Sequence, residues 1–271
     1  MVTNVINGLL ETLGIHMKTI KMIALFTLAL STSALSLVVK AEIRDEITKT
    51  FNVGERTEFR LDNVNGDVDI KAWDNNKIKV KAVITAKNQD ARDRITIEMN
   101  ENDRGVSVET QYKKSSGWGN NHSGSVEYTV MVPRQTRLSA IDLVNGSLNI
   151  EGVQGEMNID LVNGSIIANG LANDSEINSV NGSIDVTYQS LSELLRDISI
   201  DTVNGRIELN LPKSINADVD IETMNGSIRN DFGLSVDKNM FSGRNLHGTI
   251  GSGDVRISIE SVNGGVKLLK N

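Results

Sequence analysis

The chain has 271 residues, 28 Lys plus Arg against 35 Asp plus Glu, a net charge of -7, 23 Gly, 2 Pro and no Cys. That length allows one or two domains with a sizeable core, and the acidic balance argues against a general nucleic-acid binder, which needs a basic face. The lack of Cys removes disulfides, thiolate metal sites and cysteine nucleophiles, and 4% aromatics leave Ile, Leu, Val and Met to build the core.

The N-terminus reads as an export signal. Met17-Lys18-Thr19-Ile20-Lys21 is a short basic start, and 22–39 is an apolar run diluted by Ser and Thr. Val39-Lys40-Ala41 then offers small residues at the two positions a signal peptidase reads. The expected start is Met17, with 1–16 upstream of it, and the expected cleavage follows Ala41. An uncleaved anchor is the alternative, since the run lies at the lower limit for spanning. No Cys follows, so a lipoprotein route is excluded. Removing 1–41 takes away three Lys and one Glu and makes the charge two units more negative. No second apolar span follows, so the expected product is soluble and periplasmic or extracellular, with no membrane span.

Residues 42–137 predict an irregular β region. Strands are expected at 57–70, 77–86, 95–99, 106–112 and 126–132, with 113–124 a long polar loop carrying Trp118. Pro133 ends the last of these strands. No Pro/Gly/Ser linker follows, so this region reads as a cap on the stack or a wider first section of it, continuous with what comes next.

From 138 to 271 the chain repeats. The motif is Val64-Asn65-Gly66, Val144-Asn145-Gly146, Val162-Asn163-Gly164, Val180-Asn181-Gly182, Val203-Asn204-Gly205, Met224-Asn225-Gly226 and Val262-Asn263-Gly264. An aliphatic residue follows two places after each Gly: Val68, Leu148, Ile166, Ile184, Ile207, Ile228 and Val266. From Asn145 the spacing is 18 residues twice, then 23, 21 and 38. The last gap leaves room for two coils, with Ser252-Gly253-Asp254-Val255 as a degenerate copy. Gln154-Gly155-Glu156 marks a half-period.

Between these sites the pattern alternates, as in Ile141-Asp142-Leu143 and Leu148-Asn149-Ile150, which is the mark of half-buried strands. The inward parity changes across each Asn-Gly, so the pair lies at a bend, where Gly supplies a positive φ. An antiparallel meander or sandwich satisfies this, because Asn-Gly is also a hairpin signal. A β-solenoid with coils of 18–23 residues satisfies it better. Stacked Asn side chains then form a hydrogen-bonded ladder and stacked aliphatics one core. The longer coil at 188–196, with Leu191, Leu194 and Leu195, is expected to hold one helical turn.

The Leu61-Asp62-Asn63-Val64-Asn65-Gly66-Asp67-Val68 unit, the Tyr128-Thr129-Val130-Met131-Val132-Pro133 strand and the serial Asn-Gly-Ser-Ile coils carry a resemblance. The chain resembles the bacterial putative-adhesin family, domain-of-unknown-function family 4097, over about 45–269. The resemblance implies a single-stranded right-handed parallel β-helix, an envelope location and a binding role. It carries over no catalytic residues.

The chemistry points the same way. Outward acids at Asp142, Asp160, Asp185, Asp201, Glu208, Asp220, Glu222 and Glu260 recur about once per coil, as a solvated strand face requires. A polysaccharide lyase or hydrolase, the alternative function, needs such groups to converge. His122 and His247 sit in no metal or triad spacing. A calcium roll repeats Asp at its turns, whereas here only Asp67 and Asp254 do so. No cofactor or metal is expected. The expected function is a non-enzymatic adhesin-like or scaffold protein with an acidic surface. Its partner is an envelope, glycan or protein ligand, and Tyr112, Trp118 and Tyr128 are the candidate binding aromatics.

Overall fold

In the computed structural model the described residues are 42–54, 56–113, 124–239 and 243–271. The expected signal segment, Trp118 and His122 lie outside them.

The alternating stretches form two sheets, and each Asn-Gly motif carries the chain from one to the other. Strands entering the corners build an eleven-stranded entry sheet, and strands leaving them a ten-stranded exit sheet. Glu58–Asn65, Arg137–Asn145, Met157–Asn163, Ser175–Asn181 and Asp197–Asn204 pair parallel in that order. Their exit partners Val68–Trp73, Leu148–Glu151, Ile166–Leu171, Ile184–Tyr188 and Ile207–Leu211 do the same. A meander would pair them antiparallel. Inward residues stack rung on rung: Leu61, Ile141, Ile159, Ile177 and Ile200 form one column, each no more than 1% exposed. Each such side chain contributes about 1.5–3 kcal/mol of burial. Gly155, in the half-period motif, lies at the return corner against the Thr136 carbonyl.

Four features differ from the sequence reading. The 57–70 stretch, read as one strand, is two strands bent at Asn65-Gly66. Residues 188–196 form no helix; the one helix among the described residues is Gln89–Arg92, capped by the Asn88 side chain. The gap between Asn225 and Asn263 holds one coil. Asp237–Asn239 and Gly243–Ile250 run antiparallel at the end of the entry sheet, and Gly251–Asp254 is only the turn beyond them. Finally, the last coil is out of sequence order. Val255–Asn263 lies between Asp197–Asn204 and Ala217–Asn225, and Val266–Lys270 between Ile207–Leu211 and Ile228–Asn230.

At the other end, Gly105–Tyr112 and Gly124–Pro133 lie parallel on the first coil. Beyond them run the antiparallel strands Ile95–Asn102, Lys77–Ala86 and Ile43–Asn52. This end is thus closed by antiparallel pairing in both sheets, and the opposite end in the entry sheet alone, since the exit sheet finishes there on Ile228–Asn230 in parallel pairing.

The corner glycines answer to contact more than to φ. Gly66, Gly146, Gly164 and Gly182 have φ of 122°, 152°, 147° and 150°, while Gly205, Gly226 and Gly264 lie outside the positive-φ region. All seven press on a neighbouring carbonyl. A Cβ at Gly182 would stand 1.6 Å from the Gly164 oxygen, and one at Gly205 1.8 Å from the Gly182 oxygen. Gly182→Ala is therefore expected to lose about 3 kcal/mol in denaturant unfolding. Gly54→Ala, where nothing lies within 4 Å, should stay near wild type. Equal midpoints for the two variants would refute corner contact as the constraint.

Candidate functional site

The corner is built first by its backbone. Gly146 donates its N–H to the Asn163 carbonyl at 3.0 Å, Gly164 to Asn181 at 3.0 Å and Gly182 to Asn204 at 2.9 Å. The Asn side chains run the other way. Asn145 Nδ2 donates to Asn65 Oδ1 at 3.0 Å, Asn163 to Asn145 at 3.0 Å and Asn181 to Asn163 at 2.9 Å. Asn204 donates to Asn181 at 2.9 Å, Asn263 to Asn204 at 2.9 Å and Asn225 to Asn263 at 3.0 Å. Seven side chains form one ladder because an amide carries both a donor and an acceptor; a carboxylate carries only acceptors. The ladder holds the corner in register, and its amide edges bond one another. It is a structural device.

The outer face of the entry sheet carries two further files. One is acidic: Glu98, Glu109, Asp62, Asp142, Asp160, Asn178, Asp201, Glu260 and Glu222 stand opposite one another in successive strands. Eight of these nine rungs are carboxylates, spaced about 4.8 Å apart by the sheet. Desolvation, then Glu109, raises the Asp62 pKa; desolvation, then Asp160 and Asp62, raises that of Asp142. Asp201 is raised by desolvation and by Glu176, against a lowering backbone hydrogen bond from Glu260. Asn178 interrupts the file and donates to Asp160 Oδ1 at 3.0 Å.

The second file is apolar and lies two residues further along each strand, beside the Asn ladder. It comprises Val144, Val162, Val180, Val203, Val262 and Met224, all exposed at 37% or more. Between the files runs a shallow groove of about 400 Å³.

The outward acids read from the sequence therefore separate. Asp142, Asp160, Asp201, Glu222 and Glu260 share the file, Asp220 lies opposite His247, and Asp185 and Glu208 belong to the exit sheet. Lys267 Nζ bonds Glu208 Oε2 at 3.0 Å. Among the described residues no group of three His, Asp or Glu is placed to hold a metal ion.

The candidate aromatics do not come together on the surface. Tyr128 is 1% exposed, and its hydroxyl lies 2.7 Å from Thr110 Oγ1. Burial raises its pKa, and it offers a ligand no face. Its removal from the binding set corrects the sequence reading, and the parity of Val126, Tyr128 and Val130, all inward, was the available signal. Tyr112 is half-buried and donates to the Asn65 carbonyl at 3.4 Å; burial first pushes its phenol up to about 12. Trp118 lies outside the described residues. The valine file was not singled out from sequence, although its signal was the Val that opens nearly every motif.

Fold and faces together define a class: an all-β stack of coils whose outer surfaces are ordered in files. Residues 139–269 match the family model described as Toastrack DUF4097. A solved structure of a putative cell adhesion protein from Clostridium sporogenes is 16% identical. It aligns with a TM-score of 0.53 over 84% of this chain and 100% of its own, a likeness in fold. A putative adhesin from Bacteroides fragilis is 15% identical, with a TM-score of 0.34 over 83% of this chain and 97% of its own. A putative lipid binding protein from Parabacteroides distasonis is 12% identical, with a TM-score of 0.30 over 83% and 97%. No curated protein matches the chain.

Like charges on facing rungs cost about 0.2–1 kcal/mol each. Asp142→Asn should raise the thermal midpoint slightly, and Asn178→Asp should lower it. The raised carboxyls bind protons more tightly folded than unfolded, so their contribution destabilises at neutral pH. It should be relieved as pH falls through their raised values toward 3.8, the ordinary Asp value. A midpoint that moves the opposite way in both variants would remove repulsion from the account.

Proposed function

We propose that the chain is an exported, non-enzymatic β-solenoid that acts as an adhesin-like binding or scaffold protein of the cell envelope, in the periplasm or on the cell surface. The observation that carries this reading is the ordering of the outer side chains. Each coil repeats the last, so equal groups fall into long parallel files over an open sheet, as in Asp142, Asp160 and Asp201. A catalytic centre needs unlike groups converging on one reacting atom. Files suit a partner that is itself extended or repetitive, and the surface they present is acidic.

The finer parts of the reading follow general rules. The coil is right-handed, as nearly all crossovers between parallel strands of one sheet are. The exported form begins at Glu42, after a signal that starts at Met17 and is cut after Ala41. Trp118, in the stretch read from sequence as a polar loop, adds a second contact. Of the described residues around it, Tyr112 ends a strand paired with the entry sheet of the first coil and Gly124 begins one paired with its exit sheet.

Two measurements test this. The intact mass of the secreted protein should correspond to residues 42–271; a mass retaining 17–41 would favour an anchored form. In a panel of glycans and cell-wall fractions, Trp118→Ala should weaken binding of the mature protein about tenfold at an unchanged unfolding midpoint. Binding equal to wild type across the panel would take the loop out of the contact surface.

A further inference from the structure

The valine file has no task in the fold. The core is complete beneath it: Leu143, Leu161 and their inward neighbours are buried, whereas Val144, Val162, Val180 and Val203 are 37–41% exposed. A solvated file would be as well served by Thr or Lys at each rung. Instead, four aliphatic side chains are lined up on consecutive coils, and Asp62, Asp142, Asp160 and Asp201, with Asn178 between the last two, run alongside them, forming the two banks of one groove. Apolar surface in a row with charge of one sign beside it is amphipathic, and it is complementary to a partner of the same design with the opposite sign.

We propose that this groove docks a basic amphipathic α-helix of a partner protein, its Lys or Arg side chains on the acidic bank and its aliphatic side chains on the valine bank. The proposal rests on the reading of this chain as a binding protein and names the partner's chemistry. The direction of the groove selects a helix. It runs across the strands, along the stack, with a rung about every 4.8 Å. A helix returns to one face every 5.4 Å, so cations three or four residues apart meet successive rungs within reach of their flexible stems. An extended chain repeats its facing side chains about every 6.6–6.8 Å and falls out of step by the second rung. From Asp62 to Asp201 is four steps, about 19 Å, or roughly 13 helical residues. A second copy of this chain would bring acids against acids, and an anionic membrane surface would be repelled by the same row.

The test uses the mature protein, residues 42–271, and a fluorescently labelled 14-residue peptide of Lys and Leu with the two residue types on opposite faces of a helix. Two comparison peptides accompany it: a scramble of the same composition, and a Lys/Ser peptide of equal charge. The amphipathic peptide should bind at least tenfold more tightly than either, gain helix on binding, and weaken as salt rises. Val162→Ser with Val180→Ser, and separately Asp142→Asn with Asp160→Asn, should each weaken it tenfold or more. Asp185→Asn with Ile167→Ser, on the exit sheet, should leave it unchanged. Carbodiimide coupling to the wild-type protein gives an answer independent of variant folding, with cross-links expected at Asp142, Asp160 and Asp201. Equal affinity for the Lys/Ser peptide, indifference to the valine pair, or cross-links only at Asp185 and Glu208 would overturn the proposal. If the groove pairs also leave glycan and cell-wall binding intact, the groove inference fails and the envelope-binding reading stands. Loss of wild-type binding to every envelope fraction would defeat that reading instead.

Discussion

The structure depends on how closely one corner can approach the next. At each Asn-Gly the backbone of one coil lies so near the carbonyl of its neighbour that there is no room for a Cβ. The gap would be 1.6 Å at Gly182 and Gly264 and 2.0 Å at Gly164. That contact fixes the register of entry and exit strands at once, because both are continuous with the corner. A slip of one residue would set a side chain against a carbonyl and also turn every aliphatic column outward. The Asn ladder adds a second, opposed line of hydrogen bonds at the same point. Corner contact and core packing therefore specify the same alignment, an agreement between levels expected of a sequence that folds to one state.

The same constraint explains how the last coil can enter the stack out of order. The corner tests for Asn, Gly and phase; it does not test chain position. Asn263 receives from Asn225 and donates to Asn204 with the geometry of every other rung. Each coil is therefore interchangeable at the corner, and order is set by the connections. The excursion through 231–254 sends Gly243–Ile250 antiparallel along the outer side of Ala217–Asn225, leaving its inner side for the C-terminal strand. The coil at 217–230 can thus reach its final neighbours only when 255–270 is in place. Contacts of such long sequence separation place this end among the later parts of the molecule to form.

What the sequence disclosed follows from this division. Period-two alternation, the parity change at Asn-Gly and the repeat of Val-Asn-Gly-x-aliphatic are local, and they delivered the strands, the corners and the stacked core. The slot of the last coil was not legible, since its motif fits any rung. Nor was the acidic file. Asp62 and Asp142 are 80 residues apart in sequence and become neighbours only through register. The inward turn of Tyr128 was legible by parity and was masked by its closeness in sequence to Trp118. Helix was expected at 188–196 from the spacing of its leucines. In the structure Leu195 is buried in the core while Leu194 is 62% exposed, a loop draped over the coil.

A repeat that builds its core by stacking also builds its surface by stacking, and this has an energetic consequence for binding. Core columns gain with every coil, because each rung buries apolar area against two others. An acidic file loses with most coils, because a carboxylate within it faces others of its own kind, and Asn178 is the one inner rung that relieves it. The fold tolerates eight carboxylates among nine rungs only because they remain partly hydrated on an open face, where repulsion is screened. A cationic partner reverses the sign of that cost. Each exposed ion pair it forms is weak, but it also removes two unfavourable neighbours, and the adjoining valines lose their water at the same step. The face is therefore poised to gain stability from being covered. That gain grows with the number of rungs occupied and shrinks as salt rises.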